Sequence, residues 1–324
     1  MISVEPKDIP VSQSQSYLLG GVGPRPIALV STLSPNGVPN LAPFSFFNAF
    51  GANPPTVAFS PSRRVRDNTT KDTLGNLQQL GECVVQAVTY SMVQQVNVAS
   101  MEYPADVDEF AKSGLTPMKS DLVKPFRVAE SPFQMECRVQ QIIELGGKNG
   151  SGNLVVCEVV KFHVDEKVFV DGVIEPDRIG LVARMSADYY VRGHGHGLFT
   201  VEKPGKKQGI GYDNLPEFIR SSNVLTANHL GQLASVTEIP SEASVNEFIA
   251  SVSPQPYCPV HFYEYEALGN YEGMARMALA SDQVASPGTA LLLTLSAARA
   301  LDLGDIQFGW KALLCGQQLV EKNV

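Results

Sequence analysis

The chain has 324 residues, 44% of them hydrophobic and 18% charged, a balance that excludes disorder along its length and suits one large domain or two. Lys and Arg number 25 against 33 Asp and Glu, a net charge of −8, so no basic footprint for nucleic acid or an anionic membrane is expected. The five cysteines form no CxxC spacing; neither a disulfide framework nor a zinc knuckle is legible, and buried reduced thiols are expected.

The opening MISVEPKDIPVSQSQ places Glu5, Lys7, Asp8 and two prolines where a secretory signal needs an apolar run. Near the C-terminus the longest apolar stretch, 290–298, is about half of the roughly 20 residues of a membrane span. A cytoplasmic protein without a membrane segment is expected. Residues 27–33 (IALVSTL) read as a strand, and SPNG at 34–37 as a hairpin turn. The return segment 38–50 carries Pro43, Ser45 and Asn48, which an ordinary core strand avoids. A further strand, 56–60 (TVAFS), precedes the basic loop PSRRVRDNTTKDT and a helix over 74–80, with Asp72 or Thr73 as its N-cap and Gly81 as its stop.

Residues 82–89 are strand-like, Ser91 is read as the cap of a short helix over 92–100, and 106–113 predicts another that ends at Gly114. Two long strand patterns, 133–145 and 153–164, flank GGKNGSG and predict an antiparallel hairpin. A last strand is placed at 168–170, and 193–211, rich in glycine and lysine, reads as an extended connector. Beyond it the pattern turns helical at 215–222, 226–233, 241–251, 268–280 and 289–301, with no nucleophile motif, metal spacing or phosphate loop. The 289–301 helix is apolar around most of its circumference and must bury nearly all round.

Two neighbouring segments carry chemistry. In NLAPFSFFNAF a proline removes a backbone donor, so the strand cannot complete a ladder on both sides; its free backbone groups suit the edge of a planar heteroaromatic ring. The same residues also suit an edge strand with core phenylalanines. In SRRVRDNTTKDT, cations and hydroxyls precede a helix N-terminus, a combination that suits a phosphate monoester or simply a solvated, capped loop. Together they offer a ring slot followed by a phosphate grip, the two needs of a mononucleotide.

Other motifs fare worse. GGVGPR is no dinucleotide fingerprint because prolines stand where a helix should open, and GGKNGSG lacks phosphate-loop spacing. His194 and His196 lack further ligands by spacing and fit a loop or linker better than a metal. His163 reads as a satisfied strand histidine. Tyr189, Tyr190 and Arg192 suit ring stacking or interface packing.

RPIALVST at 25–32, NLAPFSFFN at 40–48, PP-x-VAFS at 54–60 and KDT-x-x-N at 71–76 resemble the flavin reductase-like, FMN-binding split barrel family. DEFAKSGLTP and AESPFQMECRV continue the resemblance, which spans about 24–204. It implies a mostly β, antiparallel split β-barrel of Greek-key type with inserted helices over 1–204, and leaves 205–324 as an α-helical region of open role. It further implies that Asn40, Ala42, Pro43, Ser45 and Phe46 line the isoalloxazine and ribityl chain. Ser60, Arg64, Lys71, Asp72 and Thr73 would handle the ribityl and phosphate end. Asp72 beside a phosphate is read as capping the helix or orienting Lys71.

The function so implied is FMN-dependent redox chemistry in a homodimer, with NADH or NADPH as reductant and an unidentified electron acceptor. No catalytic acid, base, nucleophile or metal ligand is assigned, because the cofactor carries the chemistry. A flavin-binding electron carrier and an FMN-dependent oxidase or monooxygenase stand as alternatives.

Overall fold

A computed structural model describes residues 1–201, 203, 206–280 and 287–321. The chain forms two compact units, Met1–Thr200 and Val201–Val324; the boundary expected at Pro204 lies outside the described residues.

The first unit opens with helix α1 (Val11–Gly21), then β1 (Arg25–Pro26), β2 (Ala28–Leu33), β3 (Pro39–Phe44), β4 (Phe47–Ala52) and β5 (Pro55–Phe59). Helix α2 (Asp72–Leu80), β6 (Glu82–Ala87), α3 (Val93–Ala99) and α4 (Glu109–Ser113) follow. The short pair β7 (Pro117–Met118) and β8 (Arg127–Val128) precedes the long hairpin β9 (Phe133–Glu144) and β10 (Asn153–Val164). The unit closes with β11 (Phe169–Val170), β12 (Val173–Ile174), α5 (Pro176–Ile179), β13 (Val182–Arg184) and β14 (Tyr190–Arg192).

Seven strands form one antiparallel sheet in the order β3-β2-β6-β9-β10-β5-β4. Its edge strands β3 and β4 are consecutive in sequence and separated by Ser45 and Phe46 alone. The step from Phe44 to Phe47 reaches about 11 Å at most. The sheet therefore curls until its two edges meet, and the barrel stays split where the chain crosses. The segment 38–50, read as one return strand, is thus two, divided where it changes edges.

Inside the curl lie Ala28, Val30, Phe44, Phe59, Val85 and the thiols Cys83, Cys137 and Cys157, closed by Leu74 and Leu77 of α2. On the outer face Leu29 and Leu41 pack with Met92, Val96 and Phe110 of α3 and α4. β2 is buried on both faces, which is why 27–33 lacks the polar alternation of a half-exposed strand; its Ser31 and Thr32 hydroxyls are buried and hydrogen-bonded. All five cysteines are free.

Helix ends correct two sequence expectations. Lys71, not Asp72 or Thr73, stands at the cap of α2 and makes no side-chain cap bond; Asp72 is the first helical residue. Met92 rather than Ser91 caps α3, and the Ser91 hydroxyl bonds Thr89 instead. The expected stops hold: Gly81 and Gly114 take φ of 65° and 68°, the left-handed conformation glycine adopts without strain.

The second unit contains α6 (Glu217–Arg220), α7 (Ala227–Ala234), α8 (Glu242–Ser251), α9 (Pro259–Ala267), α10 (Tyr271–Ala280), α11 (Pro287–Asp302) and α12 (Ile306–Glu321). Its core gathers Leu233, Val245, Leu293, Leu301 and Trp310, whose indole N–H donates to Leu233 O at 3.1 Å. His229 is buried, accepts the Thr226 N–H on Nδ1 and therefore donates from Nε2 to Asp302 at 2.8 Å. Among the described residues no helix is long and apolar enough to cross a membrane.

Candidate functional site

The basic loop before α2 is folded on itself. Arg64 donates from Nε to Glu102 at 2.9 Å and from Nη1 to Thr69 Oγ1 at 2.8 Å and Thr70 O at 2.7 Å. Arg66 pairs with Asp67 and Glu102. Hydrogen bonds from Thr69, then Arg66, hold the Asp67 carboxyl well below the usual carboxylate range. These arginines are spent on the loop.

Arg63, likewise without an ion pair among the described residues, donates from Nη1 to Asn68 O at 3.0 Å, which leaves Lys71. It is half-buried, its Nζ sits 5.6 Å from the Phe44 ring centroid, and it has no ion-pair partner among the described residues. Burial, reinforced by the charge of Arg64, pushes its pKa below that of an ordinary lysine. The first-turn amides of α2, at Asp72 and Thr73, have no intrahelical acceptor. A desolvated ammonium beside free amides at a helix N-terminus fits a phosphate. Asp72 is exposed, and its carboxylate makes no hydrogen bond or ion pair among the described residues.

Behind the grip lies a buried polar network. Asn40 Oδ1 accepts from Thr73 Oγ1 at 2.8 Å and Thr32 Oγ1 at 3.1 Å, while its amide donates to Glu109 at 3.2 Å. Asn76 donates to Thr32 at 3.0 Å, and Leu41 N–H donates to the second Glu109 oxygen at 3.1 Å. Burial raises the Glu109 pKa against the pull of these bonds. Asn40 and Thr73 therefore join β3 to α2. Glu109 and Thr32 were not singled out from sequence, because an acid in the first turn of a short polar helix looks like any other helix start.

The Leu41 bond to Glu109 shows that Leu41 turns its N–H away from β2, so strand alternation puts the backbone of Pro43 on the same outer edge, with Ser45 just past the end of β3 in the bend where the chain crosses. Pro43 offers only its carbonyl there. Ala42 is buried in the barrel and paired with Val30, so neither its side chain nor its backbone reaches that edge. Ser45 Oγ lies 3.5 Å from Nε of Arg25, a buried guanidinium that donates to Leu19 O, Val22 O and Met185 O and so ties α1 to the barrel. Phe46 is exposed. Ser60 donates its N–H to Phe46 O at 2.9 Å and accepts Asn153 N–H on its hydroxyl at 3.1 Å, which fixes the crossing point of the split.

A cavity of about 320 Å³ begins at the next residues, Phe47 and Asn48, and extends between Val57, Met135, Phe133 and Phe162. None of the ten residues proposed from sequence lines it.

An antiparallel barrel split between two sequence-adjacent edge strands defines a split-barrel protein. Residues 21–175 match the family model described as Flavin reductase like domain, and the chain belongs to that family. An uncharacterised protein of Halalkalibacterium halodurans is 36% identical over 205 residues, 63% of this chain and 97% of that protein. Nitrilotriacetate monooxygenase component B from Bacillus cereus is 31% identical, with a TM-score of 0.58 over 62% of this chain and 98% of that one. A Shewanella frigidimarina chain with a split barrel domain, 24% identical over 63% of this chain and 100% of its own, has a TM-score of 0.53 and shares the fold. Membership makes the chain a flavin-related oxidoreductase. Residues 176–324 lie outside the family match.

Proposed function

We propose that the protein is an FMN-dependent oxidoreductase that takes hydride from NADH or NADPH and passes electrons to a separate acceptor. The observation that carries this reading is Lys71, a half-buried cation with no ion-pair partner among the described residues, set beside free helix amides. Lys71 and the amides of Asp72 and Thr73 hold the phosphate, which favours FMN over an unphosphorylated flavin. Asn40 positions Thr73, and the outer edge of β3 at Pro43, with the adjoining Ser45, offers hydrogen-bonding groups to the ring. Phe46 is a wall, Ala42 a small packed neighbour, and Ser60 and Arg64 fix the two loops that shape the slot. When bound, the flavin supplies the hydride acceptor; the chain supplies position and electrostatics.

The purified protein should be yellow and should bleach on anaerobic addition of NADH or NADPH. A yellow protein that neither nucleotide bleaches is not a nicotinamide-dependent reductase, and the electron-carrier reading takes its place. The name of the Bacillus cereus relative, a monooxygenase component, favours an acceptor held by another protein.

The protein is further read as a homodimer. Edge strand β4 is solvent-exposed along nearly its whole length and carries Phe50 at 67% exposure, a liability that a second subunit removes. Light scattering should give twice the mass of the chain; a monomer with flavin bound overturns this.

A further inference from the structure

The turn after α3 carries Glu102, whose carboxylate is shared by two arginines of the basic loop. Arg64 donates from Nε to one oxygen at 2.9 Å, and Arg66 pairs with the other. Hydrogen bonds from Arg66, then Arg64, hold the Glu102 carboxyl below its usual range, so it is charged at neutral pH. Arg64 also donates to the carbonyl of Thr70, the residue before Lys71, at 2.7 Å. That bond brings the ion-pair cluster up to the phosphate grip. The charges that act on Lys71 are those of Arg64, Glu102 and Asp72: one cation already bonded to the loop, against two carboxylates. The Asp72 carboxylate is exposed and bonded to nothing among the described residues. Arg63 gives its backbone N–H to Ser151 O and its Nη1 to Asn68 O.

A flavin monophosphate and a flavin dinucleotide differ at this point. The monoester carries about −1.5 to −2 charges at neutral pH, all of them on the group that Lys71 and the first amides of α2 hold. In the dinucleotide the same phosphate is a diester with a single charge, and a second charged phosphate follows one bridging oxygen further on. That second phosphate needs a free cation of its own. Beside the grip it meets arginines that are engaged and carboxylates that outnumber the cation next to Lys71. We infer that Glu102, together with Asp72, is the specificity determinant that admits a flavin monophosphate and rejects a flavin dinucleotide such as FAD. It keeps Arg64 and Arg66 from a second phosphate and sets negative charge beside the first, which is discrimination by repulsion. The inference rests on the reading of Lys71 and α2 as the phosphate grip.

The test is calorimetric titration of flavin-free protein with riboflavin, FMN and FAD at low ionic strength, where exposed charges are least screened. FMN should bind about tenfold more tightly than FAD. Glu102→Gln keeps an acceptor oxygen for Arg64 but removes the charge. It should tighten FAD roughly threefold more than FMN, the scale of an exposed ion pair, and leave riboflavin unchanged. Arg66→Gln leaves Glu102 less neutralised and should move FAD in the opposite direction. A loop that was merely loosened would shift FAD the same way in both variants, and that result overturns the inference. FAD that binds the unaltered protein as tightly as FMN, while FMN still outbinds riboflavin, overturns it and leaves the grip standing. FMN no tighter than riboflavin removes the grip and the inference with it, and binding of none of the three flavins removes the flavin reading as well.

Discussion

Lys71→Met is expected to weaken FMN at least tenfold while leaving riboflavin unchanged. A charge-assisted hydrogen bond to phosphate is worth roughly 1.5–3 kcal/mol, and each 1.4 kcal/mol is about a factor of ten in affinity. Thr73 stays untouched in this variant because its buried hydroxyl donates to Asn40, and its removal would disturb the fold together with the site. The pH dependence has a definite sign. Burial, then Arg64, lowers the Lys71 pKa, so the cation is present below that lowered value and lost as pH rises through it. FMN affinity should therefore fall at a lower pH than an ordinary lysine would dictate, unless the bound phosphate restores the charge, in which case proton uptake accompanies binding. Isothermal titration in two buffers of different ionisation enthalpy reads that uptake. Equal losses for FMN and riboflavin would place the grip elsewhere.

The second large effect concerns Glu136, which is fully buried on β9. Its carboxylate accepts N–H groups from Asp121 at 2.8 Å, Leu122 at 2.6 Å and Val123 at 3.1 Å, and meets His163 Nε2 at 2.7 Å. Asp121 is in turn paired with Lys161. Ligand atoms of Asp121, Glu136 and His163 lie within 4.8 Å of one another, but Glu136 and His163 are already engaged with each other and Asp121 with Lys161, so the group works as a clip that fastens the loop at 121–123 to the hairpin.

Glu136→Ala leaves those amides without their acceptor and should cost about 3–5 kcal/mol, the scale for breaking a buried, hydrogen-bonded charge. Burial pushes the Glu136 carboxyl up, but the bonds from Asp121, His163, Leu122 and Val123 together outweigh it and hold the pKa below the usual value. Its contribution is therefore present above the unfolded carboxyl pKa, near 4.3, and disappears as pH falls through the lower folded value. Urea unfolding of both proteins at pH 7 and at pH 3 should show a wide gap that narrows in acid. A gap below about 1 kcal/mol at pH 7, or one that does not change with pH, would show that the amides find other acceptors.

How much of this was legible in the sequence differs by element. Strands 27–33 and 56–60, the long hairpin and the stops at Gly81 and Gly114 were readable because β-branched and apolar composition, turn chemistry and left-handed glycine are local properties. Lys71 was readable for the same reason, since a cation next to a helix start needs no tertiary knowledge. Helix α12 was not: Gly309 and Gly316 count against a helix, yet Gly309 leaves room for Leu301 and Gly316 for Ala290, and packing outweighs propensity. Helix α1 was missed because it buries no residue and so carries no hydrophobic stripe.

By itself the sequence determined the strand content of the first unit, the helical character of the second, and the pairing of a ring-edge segment with a phosphate-suited loop. All of these follow from residue type and spacing along one stretch of chain. Only the tertiary structure decided that 38–50 is two strands at opposite edges of one sheet, that Arg64 is consumed by Glu102 while Lys71 is left without an ion-pair partner, and that Glu109 stands behind Asn40. Those outcomes depend on which groups find partners 38 and 69 residues away, and partnership across such distances leaves no mark on local pattern.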